Sequence, residues 1–271
     1  MHETVARALT LAHETFRCGV PHFRERRLIP IRTSAHLIVF DAEKISPLYT
    51  MLEVKPGLKR DIKDVKDVAR IDNFTSGDVS LPDELCTQEK HYANWNKKHR
   101  DTFPVDKGHS AGSQFRRRDH TEQSDIDTLA GVTPEASATN RNCKGPLETA
   151  ILKHAMTQTH TYLVQGPVWF GDKPEHGMLE NGQWIPDALF ISGLFLHRKS
   201  VKSWTWLMNN AASVLPTKDS PGSDLKEISL DELERLTDLY LWSNVQARKF
   251  QKRRHRLTGG DWWKEGQPTA K

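Results

Sequence analysis

The spacing of apolar and polar residues differs between three segments of the first hundred residues, and each spacing predicts a different kind of structure. Residues 1–18 carry apolar side chains three or four positions apart, which predicts a short amphipathic helix. Residues 35–55 contain two β-rich runs separated by polar turn residues, and this pattern is typical of a hairpin. Residues 56–105 have no sustained apolar period, so we expect loops and short pieces there.

The second half of the chain predicts strands between two helices. Three runs have the β-branched and aromatic composition of strands, with a central, bent strand expected in the first: 161–170, 188–197 and 201–208. The pairing of Ser229 with Glu232 is typical of a capping box, and the leucines that follow predict a helix ending near Asn244. The tail beyond it is basic.

A further helix is predicted to begin at Leu147. Leu147, Ile151, Ala155 and Tyr162 would share one face at helical spacing, while Glu148 would point elsewhere. Glu148 is therefore a candidate for chemistry rather than for packing.

Composition limits the class of protein. With 271 residues, 37% hydrophobic and 27% charged residues and a mean hydropathy of -0.65, the chain is expected to form a globular core. No apolar run approaches the roughly 18–20 residues of a membrane span, so an integral membrane protein is not expected. Charged residues interrupt the N-terminal apolar stretch, and we therefore expect no secretory signal and an intracellular location.

Charge indicates which partners the chain could bind, and cysteine content indicates which covalent or metal-bound frameworks are not expected. The net charge is +4, and basic clusters at 24–27, 116–118 and 248–256 favour a polyanionic partner, although a solvated surface would look the same. The three cysteines are widely spaced without a CxxC pair, which indicates neither a disulfide framework nor a thiolate zinc site.

Three polar residues could form a catalytic site. His109 ends the segment Asp106-Lys107-Gly108-His109, and Asn140 and Glu148 follow it in the sequence. An imidazole can accept a proton from water near neutral pH, and amide and carboxylate oxygens suit Mg²⁺. Together they suit metal-assisted hydrolysis of a phosphodiester.

These segments carry a family resemblance. Residues 106–109 (DKGH) resemble the Asp-Arg-Gly-His signature of the DNA/RNA non-specific endonuclease family of the ββα-metal superfamily, which includes mitochondrial endonuclease G. Residues 129–148 (LAGVTPEASATNRNCKGPLE) resemble the later block of that family, and further blocks in the same order extend from about Gly19 to Asn244. Arg70, with an aromatic and an Asp after it, matches a further family position.

The resemblance implies a role for each matching residue. His109 would be the general base, Asn140 the direct protein ligand of one Mg²⁺, and Glu148 a second metal residue that orients the water shell. Mn²⁺ is expected to substitute for Mg²⁺. Arg70 would stabilise charge on the phosphorane, and Lys107 would contact phosphate in place of the signature Arg.

The sequence also departs from the family pattern. Gly131 and Glu135 stand where the family has Asn and Gln, and Lys144 stands where it has an aromatic. A carboxylate at Glu135 would repel phosphate unless it contacted a metal or Lys107. Arg141 and Lys144 are expected to add substrate contacts.

Three alternatives remain open at this point, and one of them is a nuclease specialised to a particular structure or partner complex. Asn142 could replace Asn140 as the metal ligand. A catalytically weakened nucleic-acid-binding homologue on the same fold is the alternative to an active nuclease.

The predicted architecture is an α+β fold, in which a central antiparallel β-sheet is flanked by helices and carries a ββα-metal (His-Me finger) motif. We expect an N-terminal helix at 1–18, a nuclease domain at 19–246 and a basic extension at 247–271. The resemblance implies Mg²⁺-dependent cleavage of DNA, and of RNA as well, with 5′-phosphate ends. A homodimer and a phage-encoded nuclease acting in the host cytoplasm are further expectations.

Overall fold

The structure is a computed structural model that describes residues 28–33, 36–54, 81–112, 115, 128–158, 160–197, 200–211 and 225–242. Several sequence-based expectations lie outside these residues: the N-terminal helix at 1–18, the basic clusters at 24–27 and 116–118, the loops expected at 56–80, the role of Arg70 and the basic extension at 247–271.

The largest element is a seven-stranded antiparallel sheet. Its strands, in chain order, are β1 (Leu28–Arg32), β2 (Leu37–Asp41), β3 (Ser46–Val54), β6 (His160–Val168), β7 (Ala188–His197), β8 (Ser200–Asn209) and β9 (Leu225–Glu227). Their order across the sheet is β1-β2-β3-β6-β7-β8-β9, so β6 is the central strand, as predicted. The hairpin of β2 and β3 and the strands β7 and β8 also confirm the predictions.

An apolar core lies on each face of this sheet. Consecutive strand residues point to opposite faces, so neighbours in one strand belong to different cores. In β6, Tyr162 and Val164 belong to one apolar core while Leu163 belongs to the other. Three helices of eight or more residues are present in the described part of the chain: α1 (Glu89–His99), α2 (Gly145–Ala155) and α3 (Leu230–Thr237). α3 packs on the first core and α2 on the second, which gives the predicted α+β fold.

Two predictions about helices need correction. The segment at 56–105 contains the eleven-residue helix α1, whose only buried residue is Tyr92, so the apolar period is too weak to reveal it. α3 begins at the predicted cap, where Ser229 Oγ accepts a hydrogen bond of 3.0 Å from the Glu232 amide. It ends at Thr237 rather than near Asn244, because Asp238 adopts left-handed backbone geometry with φ of 56°.

A second, two-stranded sheet precedes α2. β4 (Val105–His109) pairs antiparallel with β5 (Val132–Ala136), opposing His109 to Val132 and Asp106 to Glu135. A short helical turn (Ser137–Thr139) and a π-helical stretch (Asn140–Lys144) then lead directly into α2. The order strand, strand, helix is the predicted ββα unit.

The prediction for α2 was wrong about two residues, Tyr162 and Glu148. Leu147, Ile151 and Ala155 do pack together against the sheet, but Tyr162 lies in β6 and not on the helix. Glu148 is 7% exposed and is therefore buried, although it was expected to point away from the packed face. None of the helices in the described residues has both the length and the apolarity needed to cross a membrane.

Candidate active site

The ββα unit brings most of the predicted residues to one place. His109 ends β4, Asn140 begins the π-helical stretch, and Glu148 lies in the first turn of α2. The small sheet is fixed to the large one by Asn210, whose Oδ1 accepts a 2.7 Å hydrogen bond from the Ala136 amide. π-helical stretches are rare and are frequently found at functional sites, which fits this position.

Asp106 connects the strand to the helix. Its carboxylate accepts two hydrogen bonds from Arg141, of 2.8 Å from Nε and 2.7 Å from Nη2, and a third of 2.8 Å from Ser137 Oγ. Asn140 Nδ2 lies 3.3 Å from the same carboxylate. Burial raises the pKa of Asp106, but these hydrogen bonds and the Arg141 charge outweigh it, and the pKa is lower than usual.

This contact orients the Asn140 amide. Because Nδ2 donates to Asp106, Oδ1 is the atom left to bind a cation, and amide oxygens are suitable ligands for a hard metal ion. Asn142 is partly buried in the same π-helical stretch, but the Asp106 hydrogen bond involves Asn140. Cys143, between Asn142 and Lys144, is fully buried in the apolar core and serves packing.

Glu148 lies beneath the segment that follows His109. A Cβ added to Gly112 would be 2.6 Å from the Glu148 carboxylate, so the backbone there passes directly over this group. Within the described ranges there is no cluster of three or more His, Cys, Asp or Glu side chains arranged to hold a metal. A cation at this site would therefore depend on Asn140, on Glu148 and on water, which is chemistry that suits Mg²⁺.

Glu135 and Lys144 form a buried ion pair. Their side chains are 1% and 5% exposed, and Lys144 Nζ contacts Glu135 Oε1 and donates a 2.5 Å hydrogen bond to the His109 carbonyl oxygen. This position does not fit the expected contact of Lys144 with substrate. The sequence suggested Lys107 or a metal as the partner of Glu135, whereas in the structure its carboxylate pairs with Lys144.

The exposed basic residues differ in their surroundings. Arg141 has a side chain 70% exposed and can reach solvent while it holds Asp106. Lys107 Nζ is 2.5 Å from Glu89 Oε1, at the start of α1. Sequence reasoning missed Glu89, because it lies in the segment where no helix was predicted.

Gln183 is another residue that sequence reasoning missed. Its Nε2 donates a 3.0 Å hydrogen bond to the Val132 carbonyl of β5, and its Oε1 accepts one of 3.1 Å from Thr87 Oγ1. Gln183 is fully buried and links β5 to the segment before α1. No sequence motif marks it, because its partners are distant in the chain.

Residues 26–248 match the family model for DNA/RNA non-specific endonucleases. The chain belongs to this family. Membership supports a nuclease, that is, a hydrolase whose substrates are nucleic acids. Among curated proteins, none matches the sequence significantly.

A solved structure supports the fold independently. The protein is similar to a crystal structure of the EndoG/EndoGI complex, described as showing the mechanism of EndoG inhibition, with a TM-score of 0.64 and 15% sequence identity. The match covers 86% of this chain and 91% of that chain. At this identity the likeness concerns the fold alone, which agrees with the α+β architecture described above.

Proposed function

We propose that this protein is a metal-dependent endonuclease that hydrolyses phosphodiester bonds of DNA and RNA with little sequence preference. The observation that carries the proposal is the Asn140 amide, which Asp106 orients through a contact of 3.3 Å within the ββα unit that also contains His109. An amide held in this way can bind a cation through its oxygen. His109, the proposed base, ends the strand β4 of the same unit.

Each residue would contribute one task. His109 would accept a proton from the attacking water as general base. Asn140 would hold the metal directly, and Glu148 would bind its water shell from beneath the Gly112 backbone. Bound Mg²⁺, or Mn²⁺ in its place, would stabilise negative charge on the scissile phosphate.

The substrate contacts would come from exposed cations. Arg141 and Lys107 are exposed enough to meet phosphates, and Arg70 would stabilise charge on the phosphorane. Lys144 has no such access and is excluded from this group. Phosphate contacts of this kind carry little sequence information, which fits a non-specific enzyme.

The experiment is cleavage of supercoiled plasmid and of single-stranded RNA by the purified full chain, with Mg²⁺, Mn²⁺ or EDTA. We expect nicking with either metal, none with EDTA, and DNA products that a ligase joins without prior phosphorylation, because their ends carry 5′-phosphate. Binding without cleavage under every metal would contradict the proposal and favour a binding protein on the nuclease fold.

We also propose the division into an N-terminal helix, a nuclease domain at 19–246 and a basic extension, and a homodimer in solution. Light scattering of the full chain tests the dimer, and a mass of about 31 kDa would contradict it. Limited proteolysis tests the division, which requires first cuts near residues 18 and 246.

A further inference from the structure

Two oppositely charged residues, Glu135 and Lys144, pair with each other in the candidate site. The family resemblance implies Gln at the position of Glu135 and an aromatic residue at that of Lys144. Here both side chains are almost completely buried, at 1% and 5% exposure, and they pair with each other. One replacement alone would leave an uncompensated buried charge, so the two form a unit.

The ion pair has a third partner. Lys144 Nζ donates a 2.5 Å hydrogen bond to the backbone carbonyl oxygen of His109, as well as contacting Glu135. Lys144 is part of the π-helical stretch that leads into α2, whereas His109 ends β4. The ammonium group therefore joins the helix that carries Glu148 to the residue proposed as the base.

Packing around the pair leaves little freedom of movement. A Cβ added to Gly108 would be 1.9 Å from Glu135 Cδ, so the carboxylate lies directly against the backbone next to His109. A small internal cavity adjoins the pair and is lined by Ser110, Thr133 and Gln165. Among the described residues, neither Glu135 Oε2 nor the Gln165 amide has a hydrogen-bond partner, and both residues line this cavity.

Fold stability alone does not account for such a pair. Replacing a buried ion pair by neutral side chains of similar volume is often neutral or stabilising. What neutral residues cannot supply is a charged donor to the His109 carbonyl oxygen. The distinctive contribution of the pair is therefore to hold the backbone at His109 in place.

We propose that Glu135 and Lys144 act as a positioning pair for His109: Glu135 holds the Lys144 ammonium group, which fixes the His109 carbonyl and so the placement of the imidazole. This inference rests on the proposed function of His109 as the base. A displacement of the base affects the chemical step more than substrate binding, because the exposed phosphate contacts are unchanged.

The test compares the wild-type chain with Glu135→Gln/Lys144→Met, which removes both charges and keeps the shape. We expect kcat to fall about tenfold or more, KM to change less than about twofold, and the melting temperature to stay equal or rise. The control is Lys153→Met, the same substitution at an exposed position of α2, which should leave all three unchanged. A wild-type kcat in the double variant would overturn the proposal.

Single variants give a second comparison, made under conditions in which each is shown to be folded, because each leaves one buried charge unpaired. Glu135→Gln keeps the ammonium group at the carbonyl and must retain more of kcat than Lys144→Met. Equal losses would overturn the proposal.

A second readout does not depend on cleavage. Carbonyl-¹³C-labelled histidine, with the His109 resonance assigned by His109→Gln, should show a shift of that resonance in Lys144→Met and none in Lys153→Met. An unmoved resonance would overturn the contact on which the proposal rests. If the wild-type chain does not cleave but Lys144→Met still shifts the resonance, the proposed nuclease function is contradicted and the contact is established.

Discussion

At the scale of single residues, the backbone at Gly108 lies against the side chain of Glu135. A Cβ there would be 1.9 Å from Glu135 Cδ, far inside van der Waals contact. We predict that Gly108→Ala lowers the free energy of unfolding by about 1–3 kcal/mol, because the pair of Glu135 with Lys144 must move. Urea denaturation measures this effect. The control is Gly171→Ala, where the nearest heavy atom is 4.0 Å away, and equal stability of the two variants would count against the described packing.

Also at the residue scale, Glu89 pairs with Lys107 and would compete with a bound phosphate for it. The two side chains are 56% and 27% exposed, so their ion pair contributes little to stability. We predict that Glu89→Gln tightens DNA binding about two- to fivefold, as measured by fluorescence anisotropy, because Lys107 becomes available to phosphate. Glu180→Gln removes another exposed carboxylate, paired with Lys98 on the same helix, and controls for net charge. The same gain in both variants would show that only the overall charge matters.

At the scale of elements, helix α2 packs on the large sheet partly through the ring of His154. His154 packs edge-on against Phe195 and Trp204, with ring centroids 5.0 Å apart in both cases. Burial, and to a lesser extent the charge of Lys202, lowers the pKa of His154 from 6.5 to about 4.

This pKa shift predicts how stability changes with pH. The unfolded chain takes up a proton near pH 6.5, whereas the folded chain resists it until about pH 4. The stability due to neutral His154 is therefore complete above pH 6.5 and is lost as the pH falls toward 4. His154→Phe keeps the ring but does not titrate, so we predict a smaller loss of unfolding free energy between pH 7.5 and 5.0 than in the wild type. Equal losses in urea denaturation would contradict the role of His154.

The elements also show what the sequence could predict. Strands β2, β3, β6, β7 and β8 are recognisable because each is a run of β-branched and aromatic residues that is buried on both sides. α1 is not recognisable from the sequence, because it is held in place by side-chain hydrogen bonds rather than by an apolar face. Asn96 Nδ2 donates to the Val105 carbonyl and Asn96 Oδ1 accepts from the Val105 amide, at 2.8 Å each. The end of α3 was missed because Leu239 and Leu241 continue the apolar pattern after Asp238 has left the helix.

The site was predictable in part for similar reasons. Motif spacing proposed His109, Asn140 and Glu148, each within one local block, and the structure places all three in one ββα unit. The pairing of Glu135 with Lys144 required the strand and the π-helical stretch to be placed against each other, and periodicity contains no such information. The signal that could have revealed it is the simultaneous replacement of two neutral family positions by opposite charges.

At the scale of the whole molecule, the net charge of +4 and the exposed cations near the site favour a polyanionic substrate. Contacts of Lys and Arg with phosphate release counterions, so binding weakens as salt rises. We predict that DNA affinity falls about tenfold or more between about 50 and 200 mM salt, and that Arg141→Gln reduces the log–log slope by about one. A flat salt profile in a binding titration would contradict electrostatic recognition of the backbone.

His109 and Asn140 are proposed to form the hydrolytic site of a metal-dependent nuclease. The most direct measurement is plasmid cleavage with Mg²⁺ by the wild type, His109→Ala, Asn140→Ala and His160→Ala, where His160 pairs with Glu53 in the large sheet and serves as the control. We predict cleavage by the wild type and by His160→Ala, and loss of cleavage in the other two variants while their folding is retained. Undiminished cleavage by folded His109→Ala or Asn140→Ala would contradict the account.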